Sequence, residues 1–467
     1  MIFSTSSSVP GTPAAANPDF MGDFAFVHEY CAEDITLGLS DGAAVENWPN
    51  NGSAGGNATQ GTSGKRPVYR ATAGVAGVPS IEFEKTNSDY LANTAGGTSS
   101  TTFTMFGVYH FNDAGVSDAV ISPESGINGL LYRNTDDVTQ LYAGTVQTVT
   151  GAVVSTDDLV FIVAVFGHTA GNRSVRINGV EISSGVNTGN SNSAGFAMGG
   201  RGGDTDHSNS NVYYAGSFHG DLTGETGYSD WEDAVIDHYG ITRYKTVAFL
   251  RDGADGANEG GQVYFDAAFD HLAAAGGYVP VNEDHTTYTL SGLVTTDGYG
   301  LAVLCGDDSL DSHWNGLHYK DFPSGIGVID LTSNPYLKGG ADDSYNTSWE
   351  YTWAISLEST TPADLEPPFS GVDSTVTVDG SGRTSYGMDD SAHLPTDATH
   401  VLSVDGASEA DEIIGWTFDP ADTPNDSDGN ALTEKVFVLP LLQCFQTSGN
   451  TDDFKAMWKA CADWASS

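Results

Sequence analysis

The chain has 467 residues, too many for one compact core and enough for two or three domains of ordinary size. Its 62 Asp and Glu against 17 Lys and Arg give a formal net charge of -45, which excludes the basic patch that nucleic-acid phosphates require. No stretch approaches the roughly 18–20 uninterrupted apolar residues of a membrane helix, so no membrane span is expected.

Residues 1–20 hold Pro10, Pro13 and Pro18 among small polar residues. They read as an extended arm that docks on a neighbouring subunit. The arm lacks the basic n-region and apolar core of a secretory signal. The expectation is a protein assembled inside the cell and released with a particle, or a mature chain shown without its leader.

Residues 21–241 read as β almost throughout. Short apolar or alternating runs recur at Phe103 to Phe111, Leu130 to Tyr132, Leu159 to Phe166, Ser174 to Ile177 and Val212 to Phe218. Gly, Asn, Asp and Ser clusters separate them, a pattern that predicts a sandwich or barrel. One helical period follows at Ser229 to Tyr239, with Ser229 or Asp230 placed to cap it.

The period changes near 241–246. Thr246 to Leu250 predicts a buried strand, then comes a glycine-rich loop from Asp252 to Gly261, then a helix from Gln262 to Ala275. Val263, Phe265, Ala268, Phe269 and Leu272 form that helix's apolar stripe. Further strands are expected at Leu301 to Cys305, Ile326 to Ile329, His400 to Val404, Ile413 to Phe418 and Val436 to Leu439. An amphipathic helix capped by Thr451 closes the chain from Asp452 to Trp464. Residues 331–397 read as a loop-rich insertion. Strands alternating with helices imply a largely parallel sheet over 246–467.

Three segments of the first half carry a family resemblance. They are Asp41 to Val45 with Trp48-Pro49-Asn50 and Gly56 to Gln60; Arg66 to Tyr69 with Gly77 to Phe83 and Asp89-Tyr90-Leu91; and Tyr214 to Phe218 with Tyr228 to Glu232 and Tyr239-Gly240. With the hairpin Arg176 to Val180 they resemble the laminin-G-like, concanavalin-type jelly-roll domains of viral tail proteins and secreted adhesins. The second half resembles the class I glutamine-amidotransferase-like, flavodoxin-type fold, on its opening strand–loop–helix, Asp297-Gly298-Tyr299, and Lys435 to Pro440 before the last helix. The resemblance implies two domains, an all-β jelly-roll sandwich and then an α/β parallel-sheet domain.

An amidotransferase needs a cysteine on a strand-to-helix elbow and a His-x-Glu pair near its C-terminus. Cys305 lacks glycines on both sides, Asp307 and Asp308 would raise its thiol pKa, and no His-x-Glu follows. The expectation is therefore a non-catalytic, amidotransferase-like domain. Gly38-Leu39-Ser40-Asp41-Gly42 matches GxSxG, yet no strand precedes it and no helix follows, so it reads as a turn. Cys31, Cys305, Cys444 and Cys461 show no metal or redox spacing and read as buried thiols.

The loop after the first α/β strand sits where such folds bind ligands. Its Asp252 and Asp255, with Asp307, Asp308 and Asp311 from the neighbouring strand end, form a candidate site for Ca or Mg, since hard cations favour clustered carboxylate oxygens. The reading set against it is a solvated acidic loop. Asp426 to Gly429 fails the EF-hand register at Pro424 and Lys435. Gly202 to His207 reads as a polar hairpin or a Ca-binding rim.

A carboxylate coat of this density repels itself in dilute buffer and is screened in molar salt, which points to an extreme halophile. The expected role is a virion surface protein, a tail fibre, spike or capsid turret at the virion surface. It would oligomerise, hold other virion proteins through its arm and attach to a host surface glycoprotein or glycan. The alternatives are a secreted, carbohydrate-targeted hydrolase or amidase, and a cell-surface adhesin. Trp48, Tyr213 and Tyr214 are aromatic candidates for sugar stacking, weighed against a place in the core.

Overall fold

The structure is a computed structural model. It describes residues 17–34, 38–72, 77–96 and most of 102–251, and beyond these the helices and strands given below with short flanking segments. Two compact units divide the chain, Met1–Tyr244 and Lys245–Ser467.

Sixteen strands build the first unit: β1 (His28–Cys31), β2 (Asn47–Trp48), β3 (Ala58–Thr59), β4 (Val68–Arg70), β5 (Ser80–Phe83), β6 (Leu91–Asn93), β7 (Phe103–Phe111) and β8 (Asp118–Ser122) come first. Then follow β9 (Leu130–Arg133), β10 (Val138–Tyr142), β11 (Val146–Val153), β12 (Val160–Phe166), β13 (Arg173–Ile177), β14 (Val180–Gly185), β15 (Phe196–Met198) and β16 (Ser210–His219). They form two antiparallel eight-stranded sheets. One has the order β14-β13-β12-β7-β16-β5-β4, with β1 also on β16; the other runs β11-β10-β9-β8-β15-β6-β3-β2.

β12 is buried at every position, and β7 at all but His110, although an exposed sheet would alternate. The reason lies on the outer face of the first sheet. There α1 (Tyr228–Tyr239) sets Trp231 against Phe24, Phe26, Phe106 and Phe161, with ring centroids 5.1–6.0 Å apart. Truncating Trp231 to alanine would cost about 3–5 kcal/mol on the scale of large core aromatics. Phe20 joins this cluster at 3% exposure, so the sandwich's packing reaches back into the segment read as an arm. The helix cap also departs from expectation. Gly227 is the N-cap, with no side-chain bond, and Ser229 and Asp230 lie inside the helix. Gly240 ends it in the left-handed conformation, its N–H donating to Ile236 and Asp237 carbonyls.

The second unit holds β17 (Lys245–Arg251), β18 (Tyr278–Asp284), β19 (Leu301–Leu304), β20 (Gly327–Asp330), β21 (Ser348–Tyr351) and β22 (Ile355–Ser359). They are followed by β23 (Thr375–Val378), β24 (Arg383–Tyr386), β25 (Thr399–Val404), β26 (Ile413–Phe418) and β27 (Val436–Val438). A nine-stranded sheet has the order β18-β17-β19-β20-β27-β26-β25-β22-β23, and β21 pairs with β24 apart from it. The first five strands of that order are mutually parallel and the rest antiparallel. Four strands thus fall within 331–397, the stretch read as loop-rich.

α2 (Gly261–Ala274) links β17 to β18, and α3 (Asp452–Ala465) follows β27. Met457, Trp458, Cys461, Ala462 and Ala465 make one buried stripe of α3, the spacing an amphipathic helix requires. Trp458 Nε1 donates to the Ala268 carbonyl at 3.0 Å, fastening α3 to α2. Phe249 meets Phe269, and Phe437 meets Trp464, so both helices also pack on the sheet.

Candidate functional site

Four connections cross between the two sheets at one end of the sandwich. β5 ends at Phe83, which pairs with Ser210, and Ser210 also pairs with Phe111 at the end of β7. The connections leaving this level follow β3, β5, β7 and β15, and their described residues are 60–67, 84–90, 112–113, and 199–201 with 206–209. Each runs from one sheet to the other.

Side-chain amides stitch these loops together. Asn209 accepts from the Lys85 N–H at 2.7 Å through Oδ1 and donates to Asp113 Oδ2 at 2.5 Å through Nδ2. Asn211 Nδ2 donates to Asn112 Oδ1 at 2.8 Å, and the Asn112 N–H donates to the Asn209 carbonyl. His207 Nδ1 donates to the Asp89 carbonyl at 3.3 Å, with its ring beside half-buried Tyr90. Gln60 Nε2 reaches the Tyr90 carbonyl, and the Tyr90 N–H reaches Lys65, which ties in the fourth loop. The result is a rim of amide and carboxylate groups fixed before any ligand arrives.

Asp89 sits beneath this rim at 1% exposure. Its Oδ2 accepts from the Glu84 N–H at 3.1 Å, while its Oδ1 has no hydrogen-bond donor. Burial, with Glu84 and Glu82 adding repulsion, pushes its carboxyl up to about 6.

A second polar group runs along β1, inside the fold. His28 Nε2 donates to the Ala95 carbonyl at 2.8 Å, which leaves Nδ1 to accept from the Ser217 hydroxyl at 2.7 Å. The ring stacks on Phe196 of the opposite sheet. Burial drops its pKa to about 4, so the imidazole is neutral at pH 7. Ser217 and His28 have the partners of a nucleophile and base, but with a carbonyl as third group and 1% exposure at the histidine, the pair joins the two sheets. Glu29 points the other way and accepts from Tyr214 O–H and the Gly22 N–H, its carboxyl raised chiefly by burial.

The residues singled out in the sequence fall as follows. Trp48, Tyr213 and Tyr214 are fully buried, so they are core residues and present no face to a sugar. Ser40 lies in a turn, where it accepts from the Ala43 N–H. Cys31 and Cys461 are buried free thiols, raised chiefly by burial, Cys31 to about 12. Asp252, Asp255, Cys305, Asp307, Asp308, Asp311, Cys444 and residues 202–205 and 426–429 lie outside the described residues. Among the described residues no group of three or more His, Cys, Asp or Glu is arranged to hold a metal ion, and no helix is long and apolar enough to cross a membrane.

The sequence reading missed Asp330. It ends β20 at the carboxyl edge of the parallel sheet, level with Leu304 on one side and Val438 on the other, at 1% exposure. In sheets of this kind, ligands bind outside the carboxyl ends where strand order reverses, here between β17 and β19. Asp330 is one strand from that point. The signal was Asp330 itself, the polar end of the apolar run Ile326 to Ile329.

No family model and no curated protein matches the chain. Solved structures do. Trypanosoma rangeli sialidase in complex with sialic acid is 11% identical with a TM-score of 0.28, over 45% of this chain and 32% of the sialidase, so the chain spans about a third of that enzyme. Domain 4 of AbnA, a GH43 extracellular arabinanase from Geobacillus stearothermophilus solved with arabinotriose, is 14% identical with a TM-score of 0.29, over 45% of this chain and 97% of that domain. A ThuA-like protein from Bacteroides uniformis is 10% identical with a TM-score of 0.32, over 47% of this chain and 91% of that protein. Likenesses this distant assign no activity. The expectation of a non-catalytic chain is corrected on chemical grounds: the missing amidotransferase motif excludes one reaction and says nothing of others, such as glycoside hydrolysis by paired carboxylates.

Proposed function

We propose that the chain is a carbohydrate-directed hydrolase of a high-salt, extracellular setting, with a jelly-roll sandwich as its glycan-binding module. The observation that carries the reading is the pre-ordered rim of Asn112, Asp113, Asn209 and Asn211 with Tyr90 beside it. Planar amides and carboxylates match the paired hydroxyls of a sugar, and a half-exposed aromatic supplies contact area at low entropy cost. The second unit has the strand order 2-1-3-4-5 in its parallel half, the flavodoxin-type arrangement, and its carboxyl edge is where a reacting group would sit.

The full chain, in molar KCl, is incubated with a panel of polysaccharides, and both retention and release of reducing ends are measured. The reading expects retention, at least tenfold weaker in Asn112→Ala and Asn209→Ala, and turnover that Asp330→Asn removes without loss of retention. Retention without turnover would leave only attachment, the virion-surface role; neither retention nor turnover would overturn the carbohydrate reading.

A further inference from the structure

We infer that the rim selects uncharged, hydroxyl-rich glycans and rejects carboxylated or sulfated ones. This rests on the rim being the glycan site, and it follows from how the rim's charges are already committed. The four crossing loops carry Lys65, Arg66, Lys85 and Arg201. Arg66 is held by Glu46 at 2.9 Å and by the Gln60 carbonyl at 3.0 Å. Arg201 is held by Asp206 at 3.3 Å. Glu46, Glu84, Asp89, Asp113 and Asp206 more than offset the four cations, so an arriving carboxylate meets a negative field and two guanidiniums with carboxylate partners in place.

Acceptors, in contrast, are in surplus. Asn112 Oδ1 is filled by Asn211 and His110, but Asp89 Oδ1 is buried without a donor, and the carboxylates of Glu84, Asp113 and Asp206 add oxygens that only accept. A sugar hydroxyl can donate to a rim carboxylate, and a hydrogen bond to a carboxylate is about twice as strong as a neutral one. An anionic group can only repel the same carboxylate. The chain's charge of -45 adds to this at low salt. In molar salt that long-range field is screened and the local pairing decides.

Titration calorimetry on the full chain in 1 M KCl, with arabino-, xylo- and gluco-oligosaccharides against oligogalacturonate and sialyllactose, tests the inference. The expected result is binding of at least one neutral glycan at least tenfold tighter than either acidic probe. Asp206→Asn frees Arg201 while keeping a residue that tolerates the positive φ of 52° at this position. It is expected to narrow that ratio at least threefold, as is Glu46→Gln, which removes the charge that neutralises Arg66. Acidic glycans bound as tightly as neutral ones, with both lost in Asn112→Ala, would sink the inference and keep the carbohydrate reading. So would a ratio that neither variant moves. Binding of no glycan would sink both.

Discussion

Arg176 of β13 and Glu232 of α1 form a two-pronged ion pair across 56 residues of sequence, Nε to Oε1 at 3.0 Å and Nη2 to Oε2 at 2.8 Å. Glu232 also accepts from the Tyr228 hydroxyl at 2.7 Å, and Arg176 donates to the Gly179 carbonyl. The carboxylate is almost fully buried, so removing its partner strands a charge in the interior. Arg176→Met is expected to destabilise the first unit by about 3 kcal/mol, and Arg176→Met with Glu232→Leu by clearly less, because the second change removes the stranded charge. Thermal unfolding followed through the Trp231 signal measures both. A double variant as unstable as the single would contradict the argument.

The carboxylate coat makes the opposite prediction about salt. Exposed charges lie within one another's field at 0.1 M salt, where the screening length is about 10 Å, and largely outside it at 1 M, where it is about 3 Å. With 62 acids to 17 bases the net term is repulsive. Melting temperature should therefore climb steeply from 0.1 to 2 M KCl. The Arg176–Glu232 contribution, being buried, should stay nearly constant across that range. A flat salt response would remove the physical basis for the high-salt setting.

Two buried groups tie stability to pH with opposite signs. His28 has a folded pKa of about 4, below its ordinary 6.5, so the folded state resists the proton that the unfolded chain accepts. Its contribution is complete above pH 6.5 and fades as pH falls to about 4, a total of about 3 kcal/mol at 1.36 kcal/mol per unit. Asp89 has a folded pKa of about 6, above its ordinary 3.8, so its contribution is complete below pH 3.8 and fades as pH rises to about 6. Between pH 4 and 6 the two oppose each other. His28→Gln should therefore reduce the acid-side loss, and Asp89→Asn should raise stability at pH 7 relative to pH 4. Denaturant titrations at pH 4, 5, 6 and 7 on both variants read the slopes separately.

Much of this fold was legible in the periodicity. Phe103 to Phe111, Ile413 to Phe418 and the closing helix sit where the apolar spacing puts them, because burial of those stripes leaves few other solutions. Tyr278 to Asp284 went unread as a strand, since Pro280, Asn282 and Glu283 break the apolar pattern. As an outermost strand of its sheet, it tolerates them. The rim was not legible at all. Asn112, Asn209 and Asn211 look like turn residues in sequence, and only the pairing of Phe83 and Phe111 with Ser210 brings their loops to one level. Asp252, Asp255, Asp307 and Asp308 were conspicuous as a cluster on the page, but charge density in so acidic a chain carries little information about a site.

Gly199 links the rim to the core beneath it. It follows β15 with a φ of +75°, its N–H donates to the Val120 carbonyl, and its carbonyl accepts from the Ser208 N–H, so it opens the loop that carries Asn209. A Cβ here would run into the ring of buried Phe83, whose strand precedes the 84–90 loop. An L-residue at this φ is strained in any case. Gly199→Ala should cost about 1–3 kcal/mol from overpacking, beyond the backbone strain. Because the displaced ring supports two of the four loops, glycan binding should weaken at least tenfold while the Arg176–Glu232 pair, on β13 four strands away from β5 in the sheet, is kept. Phe83→Leu on the Gly199→Ala background makes room for the methyl and should restore part of the stability. Loss of stability without any loss of glycan binding would show that the rim does not depend on this contact.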